Sequence, residues 1–219
     1  MRTKKLVNKF ESTFFYIFKQ MIRINKLPHR FSGQKWPKIN GYVNINVTSS
    51  ANGCWRELSP MLLGPIIYTG EGVNITVKRF ENLWQFSKVW PSDIDKETGL
   101  PNKEWYFRRY EGWKSDKGVR HVKKGSKPIY SFWAGQKLSY IEARRIIYCP
   151  IYEALARRTN AFKKLKSMFD AGYKIQILGY DGYDVKVPDD LHKCFLDESR
   201  PFGHELVLAC MLVDVYPWK

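Results

Sequence analysis

The stretch that decides the fold runs from residue 203 to residue 215 and reads GHELVLACMLVDV. After its polar start it is apolar on nearly every side, whereas a helix at a protein surface carries one apolar stripe. We therefore predict a helix buried at the centre of the fold. Residues 175–180, IQILGY, form a short apolar run that predicts a buried strand beside it.

The segments around this pair predict a mixture of helices and short strands. Helical periodicity recurs over residues 138–156, with an interruption at Pro150, and again over residues 162–169. Strands are predicted within residues 41–49, 66–68 and 73–77, the last two joined through Gly70-Glu71-Gly72. This pattern predicts the α+β class, as a mainly helical single domain with a small β-sheet.

Residues 1–40 are predicted to be a basic N-terminal arm, followed by a catalytic domain over residues 41–219 with an exposed insertion near residues 91–104. Residues 1–38 hold ten basic residues against the single acid Glu11. Apolar residues recur within the arm at helical spacing, which predicts a basic amphipathic helix: Phe10, Phe14, Phe18, Met21 and Ile22. Two roles stay open, a helix packed on the domain with its lysines in water or an arm that contacts phosphates.

The charge balance points to an anionic partner. The chain carries 37 basic and 21 acidic residues, a net charge of +16. Such an excess attracts polyanions, namely nucleic acid, phosphorylated ligands or an anionic membrane surface. No apolar run is long enough for a membrane span, and the four cysteines show no C-x-x-C pairing. We expect a cytoplasmic protein with reduced thiols, no membrane association and no metal or cofactor.

The candidate chemistry lies in residues 80–88, which read FENLWQFSK. Glu81, Gln85 and Lys88 stand at i, i+4 and i+7, so a helix aligns them as one stripe, the Glu81 stripe. Their neighbours are bulky and apolar, which leaves little room for a solvated face. A carboxylate among rings has a raised pKa, which suits proton transfer near neutral pH. The alternative is a plain salt bridge of Glu81 with Lys88 or with an arginine.

Two further acids, Asp181 and Asp184, follow the predicted strand at residues 175–180. Side chains just past a strand end can reach into a pocket, although Asp181 before Gly182 also fits an ordinary turn. Residues 105–127 interleave aromatic rings with arginine and lysine. That mixture suits stacking on bases and neutralising phosphates, and it also arises when a helix buries its rings.

Five short motifs follow one another in an order that resembles the NADAR superfamily, over roughly residues 56–215. They are Leu58-Ser59-Pro60, Glu81 to Gln85 with Lys88, Phe132-Trp133, Tyr180-Asp181, and Gly203 to Leu206. The chain departs from the family pattern with Asn82 for histidine, Trp84 for tyrosine and Pro60 for asparagine. The W-G that often follows the Y-D is also absent, and Gly182-Tyr183 stands in its place.

The resemblance implies a NADAR-like fold and hydrolysis of an N-glycosidic bond. Family members act on a riboflavin-pathway intermediate or on ADP-ribose attached to guanine. Carried over to this chain, Glu81 is the catalytic glutamate and Asp181 the second acid. The candidate substrate-binding residues are Ser59, Trp84, Gln85, Lys88, Arg120, Trp133 and Tyr180.

The sequence thus predicts a hydrolase that cleaves the C1′–N bond of an ADP-ribosylated base. A free nucleotide needs two or three cations, so a net charge of +16 favours an adduct carried by nucleic acid. A chain of this kind would fit a bacteriophage, and its location would then be the host cytoplasm. The alternative is a non-enzymatic basic protein that binds nucleic acid or nucleotides, such as a phage factor that docks on a host complex.

Overall fold

The computed structural model describes residues 21–28, 35–36, 38–120, 122–123 and 125–219. These residues form strands β1 (Ile22–Lys26), β2 (Val43–Asn46), β3 (Ile66–Gly70), β4 (Val73–Val77), β5 (Lys88–Val89), β6 (Tyr130–Trp133), β7 (Gln136–Leu138) and β8 (Ile175–Gly179). The α-helices are α1 (Phe80–Phe86), α2 (Lys103–Lys114), α3 (Tyr140–Ala143), α4 (Cys149–Ala156), α5 (Asn160–Asp170), α6 (Leu191–Leu196) and α7 (His204–Val213). Helix and small sheets together confirm the α+β class.

A three-stranded parallel sheet lies at the centre of the fold, with β8 between β1 and β2. Ile177 of β8 is the register partner of Ile24 on one side and of Ile45 on the other. Every residue of β8 is buried, because a strand in the middle of a covered sheet meets packed side chains on both faces. Helix α7 packs on β8 and β1 and is buried over nearly its whole length, as its sequence predicts.

Residues 22–26 correct the predicted N-terminal arm. Met21 and Ile22 were assigned to its amphipathic helix, but the chain from Ile22 to Lys26 is an extended strand of the central sheet. Its two isoleucines alternate into the core and β8 offers an open edge, so long-range pairing overrides the local helical spacing. The predicted helix therefore does not include residues 22–26. The predicted helix over Phe10–Phe18 lies outside the described residues.

Two antiparallel sheets complete the strands. β3 and β4 form the predicted hairpin, and β6 pairs with both β5 and β7. The hairpin is tied to α2 by a buried ion pair in which Arg109 donates to both carboxylate oxygens of Glu71, at 3.0 and 2.8 Å. The guanidinium of Arg109 also lies over the rings of Trp105 and Trp113. The hairpin turn is thus fastened to α2 by two charge-assisted hydrogen bonds, from a guanidinium that rings of the same helix hold in place.

A single long helical segment runs from Tyr140 to Ala156 through α3, a π-helical turn at Arg144–Tyr148, and α4. The interruption predicted at Pro150 takes the form of this wider turn. Proline lacks the amide hydrogen of a regular helix and its ring crowds the preceding carbonyl, and a π turn accommodates both defects without ending the helix.

The segment at residues 91–104 is mostly exposed, as predicted, but it is anchored by one buried acid. The carboxylate of Asp93 accepts from Arg108 and from Lys123, each at 2.6 Å. These partners come from α2 and from the basic stretch after it, so one carboxylate joins three segments. Within the described ranges, no helix has the length and apolar character needed to cross a bilayer.

Candidate active site

A cavity of about 750 Å³ opens at the carboxyl edge of the parallel sheet. Lys26 ends β1, Thr48 follows β2 and Asp181 follows β8, and all three line the cavity. The far walls come from α1 and from the start of α7. Because β1, β2 and β8 are parallel, their carboxyl ends meet at one edge, which is where open parallel sheets bind ligands.

The start of α1 is held in place by the loop before the β3–β4 hairpin. The amide of Glu81 donates to the carbonyl of Pro60 at 2.9 Å, and that of Phe80 donates to Leu63 at 2.8 Å. Ser59 and Pro60 line the cavity with Glu81. The Leu58-Ser59-Pro60 motif therefore positions the backbone of the candidate catalytic residue.

The Glu81 stripe is present as the sequence predicts. Gln85 donates from Nε2 to Oε1 of Glu81 at 2.9 Å, and Lys88 donates from Nζ to Oε1 of Gln85 at 2.9 Å. The ammonium of Lys88 also lies 4.9 Å from the centre of the Trp84 ring. All four side chains line the cavity. Gln85 thus fixes both its neighbours, and Glu81 does not form the direct salt bridge with Lys88 that was the alternative.

Burial shifts the pKa of the ionisable group at each end of this stripe. It raises the pKa of Glu81, an effect opposed by the hydrogen bond from Gln85 and by the charge of Lys88. Burial also lowers the pKa of Lys88 to about 8, opposed by the charges of Glu81 and Asp181. Both carboxylates therefore act on the same ammonium group, across one enclosed space.

Of the two aspartates after β8, Asp181 is the one at the cavity. Its Oδ1 lies 3.5 Å from Nη2 of Arg120, and the guanidinium of Arg120 lies over the ring of Tyr180. Asp184 is 80% exposed and lies 3.8 Å from Arg23, away from the cavity lining. Asp181, and not Asp184, can therefore reach a ligand in this cavity.

Asn82 has a role that the sequence analysis did not assign. It is fully buried, and its amide group donates to the carbonyls of Gly112, Ser115 and Lys117 while its Oδ1 accepts from the amide of Val119. One side chain thereby satisfies four backbone groups of the segment that leads into Arg120. Asn82 therefore fastens this basic segment to the start of α1.

Trp133, a candidate substrate-binding residue, does not line the cavity. Its ring lies 4.6 Å from that of Tyr68 and 6.2 Å from that of Trp113, in the aromatic cluster behind the hairpin. Edge-to-face contacts with these two rings hold the indole of Trp133 in this cluster. Tyr140 is an aromatic residue of the cavity lining that the sequence did not single out, and its ring lies 6.3 Å from that of Trp84.

His204 and Glu205 stand at the start of α7 and were quoted in the sequence only as part of a motif. His204 lines the cavity, and its Nε2 donates to the carbonyl of Val47 at 3.0 Å. The His204 Nδ1 lies 3.2 Å from Oε2 of Glu205, yet neither carboxyl oxygen of Glu205 makes a hydrogen bond within the described part of the chain. Burial, reinforced by Asp181, raises the pKa of Glu205 to about 7.

The backbone around Glu205 is shaped to its carboxyl group. A Cβ on Gly179 would lie 2.5 Å from the carboxyl carbon of Glu205, and a Cβ on Gly203 would lie 2.5 Å from its Oε2. Side chains at either position are therefore excluded. The paired glycines were the only sequence signal for this buried acid.

No group of three or more His, Cys, Asp and Glu side chains suited to a metal ion occurs among the residues for which coordinates are described. The expectation of a metal-free, cofactor-free site stays a prediction. Comparisons of the chain with family models, with curated proteins and with solved structures give no match. The function must therefore be argued from the cavity itself.

Proposed function

We propose that this protein is an N-glycosidase that hydrolyses the C1′–N bond of an ADP-ribosylated base, in the manner that its NADAR resemblance implies. The observation that carries the proposal is the convergence of Glu81 and Asp181, from segments a hundred residues apart, on one cavity that also holds aromatic rings and cations. Of the nine candidate site residues, Trp133 alone is excluded from this cavity.

The reaction needs a carboxylate close to the sugar. Cleavage of a C1′–N bond passes through an oxocarbenium-like sugar, whose positive charge a carboxylate stabilises. Gln85 holds one oxygen of Glu81, so the carboxylate is fixed in orientation toward the cavity. Glu81 is proposed to contact the sugar and orient the attacking water. Its raised pKa suits it to accept a proton from that water near neutral pH.

The other side chains would bind the rest of the substrate. Asp181 would hold ribose hydroxyls or the water, and Tyr180 and Ser59 border the same space. Trp84, with Tyr140 beside it, offers an aromatic surface to the base. Arg120 and Lys88 would hold phosphate oxygens, because both cations line the cavity.

The proposed substrate is an adduct on nucleic acid, guanine ADP-ribose in DNA being the first candidate. The net charge of +16 exceeds what a free nucleotide requires. A base carried on a strand reaches an enclosed site when it is flipped out of its stack, as base-processing enzymes do. A related free nucleotide is the other substrate to be tested.

The test compares turnover of ADP-ribosylated DNA and of free ADP-ribosyl guanosine by wild type and by Glu81→Gln. The variant should lose turnover by a factor of about 10² to 10⁴ and keep its affinity for substrate. Glu111→Gln, at an exposed acid of α2, is the matched control. Turnover by Glu81→Gln equal to that of wild type would contradict the proposal. Equal turnover of both substrates at low salt would remove the reason for invoking DNA.

The rival function is a nucleic-acid-binding protein without catalysis. The outer face of α2 favours it, since Phe107 is 70% exposed and Tyr110 is 49% exposed, with the ammonium of Lys114 above the Tyr110 ring at 4.8 Å. Exposed rings beside cations suit stacking on single-stranded bases. A binder would retain DNA on a column but show no turnover that depends on Glu81.

A further inference from the structure

The proposed mechanism leaves the cavity edge formed by β1 and β2 without a role. Four basic side chains among the described residues line the cavity: Lys26, Lys88, Arg120 and Arg144. Two of them already donate hydrogen bonds within the protein. Arg144 donates to the carbonyls of Phe195, Asp197 and Arg200, while Lys88 is held by Gln85.

The remaining two cations line the cavity near the Tyr180 turn, where Arg120 also lies 3.5 Å from the carboxylate of Asp181. Lys26 is exposed at the end of β1, and Arg120 lies over the Tyr180 ring and is 45% exposed. Lys26 is the register partner of Gly179, the residue immediately before Tyr180. Gly182 closes the turn tightly on β1, because a Cβ there would lie 2.6 Å from the carbonyl oxygen of Asn25. The end of β1 and the Tyr180 turn are therefore held side by side.

The side-chain hydroxyl groups of Thr48, Ser50 and Tyr180 lie in a row, and the hydrogen bonds among them determine which hydroxyl can donate to a ligand. Thr48 donates from Oγ1 to Oδ1 of Asn46 at 2.8 Å, so its contact with Ser50 Oγ at 2.8 Å requires Ser50 to be the donor. Ser50 then has no proton left for Tyr180, whose hydroxyl lies 3.2 Å away. The Tyr180 hydroxyl must supply its own proton, either to Ser50 or to a ligand in the cavity.

We propose that this edge is a phosphoryl-binding subsite, in which Lys26, Arg120 and the Tyr180 hydroxyl hold a phosphate of the substrate. Two cations and a hydroxyl donor match the oxygens of a phosphoryl group. The subsite deepens the proposed function by placing a phosphate at the sheet edge and the ribose toward Glu81. Lys26 lies in a segment that precedes the motifs of the resemblance, so this contact belongs to the N-terminal strand of this chain.

The test measures binding of ADP-ribose, of inorganic pyrophosphate and of adenosine by titration calorimetry at low salt. Lys26→Met should weaken binding of the two phosphate-bearing probes by about tenfold and leave adenosine binding unchanged. Lys26→Arg should retain most of the affinity. Lys96→Met is the control, because Lys96 is exposed outside the cavity and its loss changes the net charge equally. Equal effects of Lys26→Met and Lys96→Met would overturn the subsite, as would an equal loss for adenosine.

The subsite and the proposed reaction fail in different ways. If binding of phosphate-bearing probes depends on Lys26 but no turnover depends on Glu81, the subsite is supported and the glycosidase proposal is rejected. If turnover depends on Glu81 but the affinity for phosphate-bearing probes is the same with and without the Lys26 side chain, only the subsite proposal is rejected. Lys26 is exposed, so its substitution takes no side chain from the core, and an unchanged urea midpoint verifies that the variant is folded.

Discussion

Replacing Glu205 by glutamine should stabilise the protein at alkaline pH and not at acidic pH. Burial raises the pKa of Glu205 from 4.5 to about 7, which means that the folded state binds this proton more tightly than the unfolded state. A difference of this size corresponds to about 3 kcal/mol of unfolding free energy. Glutamine keeps nearly the same shape against Gly179 and Gly203, so packing is conserved.

The sign of the effect follows from the order in which the two states lose the proton. Below pH 4.5 Glu205 is protonated in both states and the wild type carries no penalty. As the pH rises toward 7 the unfolded state releases its proton first, so wild-type stability falls until the folded state titrates as well. The variant has no such proton. The unfolding free energy of the variant relative to wild type should therefore increase between pH 4.5 and about 7 and stay constant above that range.

Urea unfolding of both proteins at several pH values between 4 and 9 measures this difference. Subtracting the two curves removes every other titrating group, since both proteins share them. Glu198→Gln, at an exposed acid, should show no change with pH relative to wild type. A constant difference between wild type and Glu205→Gln across the whole range would refute the reasoning, because it would mean that Glu205 ionises in the folded protein as it does in water.

Two further predictions concern side chains whose roles the structure revises. Asn82→Ala should lower the free energy of unfolding by about 2 to 4 kcal/mol, because it leaves buried carbonyls without donors. It should also speed tryptic cleavage near Arg120. Unchanged stability and unchanged cleavage would contradict the role of Asn82 in holding this segment. Tyr140→Ala should weaken ADP-ribose binding in calorimetry with little loss of stability, whereas Trp133→Ala should lower the urea midpoint and leave affinity unchanged. The reverse pattern would restore Trp133 to the site.

Much of the fold was predictable where one segment carries its own signal. The apolar run of α7, the buried strand β8 and the β3–β4 hairpin are each specified by local periodicity or turn residues. The Glu81 stripe was predictable for the same reason, since i, i+4 and i+7 spacing aligns side chains on any helix.

The remainder depends on partners that are distant in the sequence. The strand at Ile22–Lys26 forms because β8, about 150 residues later, offers an edge to pair with. Asn82 finds its four partners some 30 to 37 residues away. Trp133 satisfies the motif order and still packs elsewhere, because a motif fixes neither the direction of a side chain nor the competition between two apolar surroundings.

The strand order β1-β8-β2 also constrains the time at which the site is assembled. The first and second strands never pair with each other, and the strand that joins them ends at Gly179. During synthesis a ribosome must therefore extrude most of the polypeptide before Lys26, Thr48 and Asp181 can meet. We expect nascent chains that stop before Ile175 to leave both outer strands unpaired and without ligand affinity.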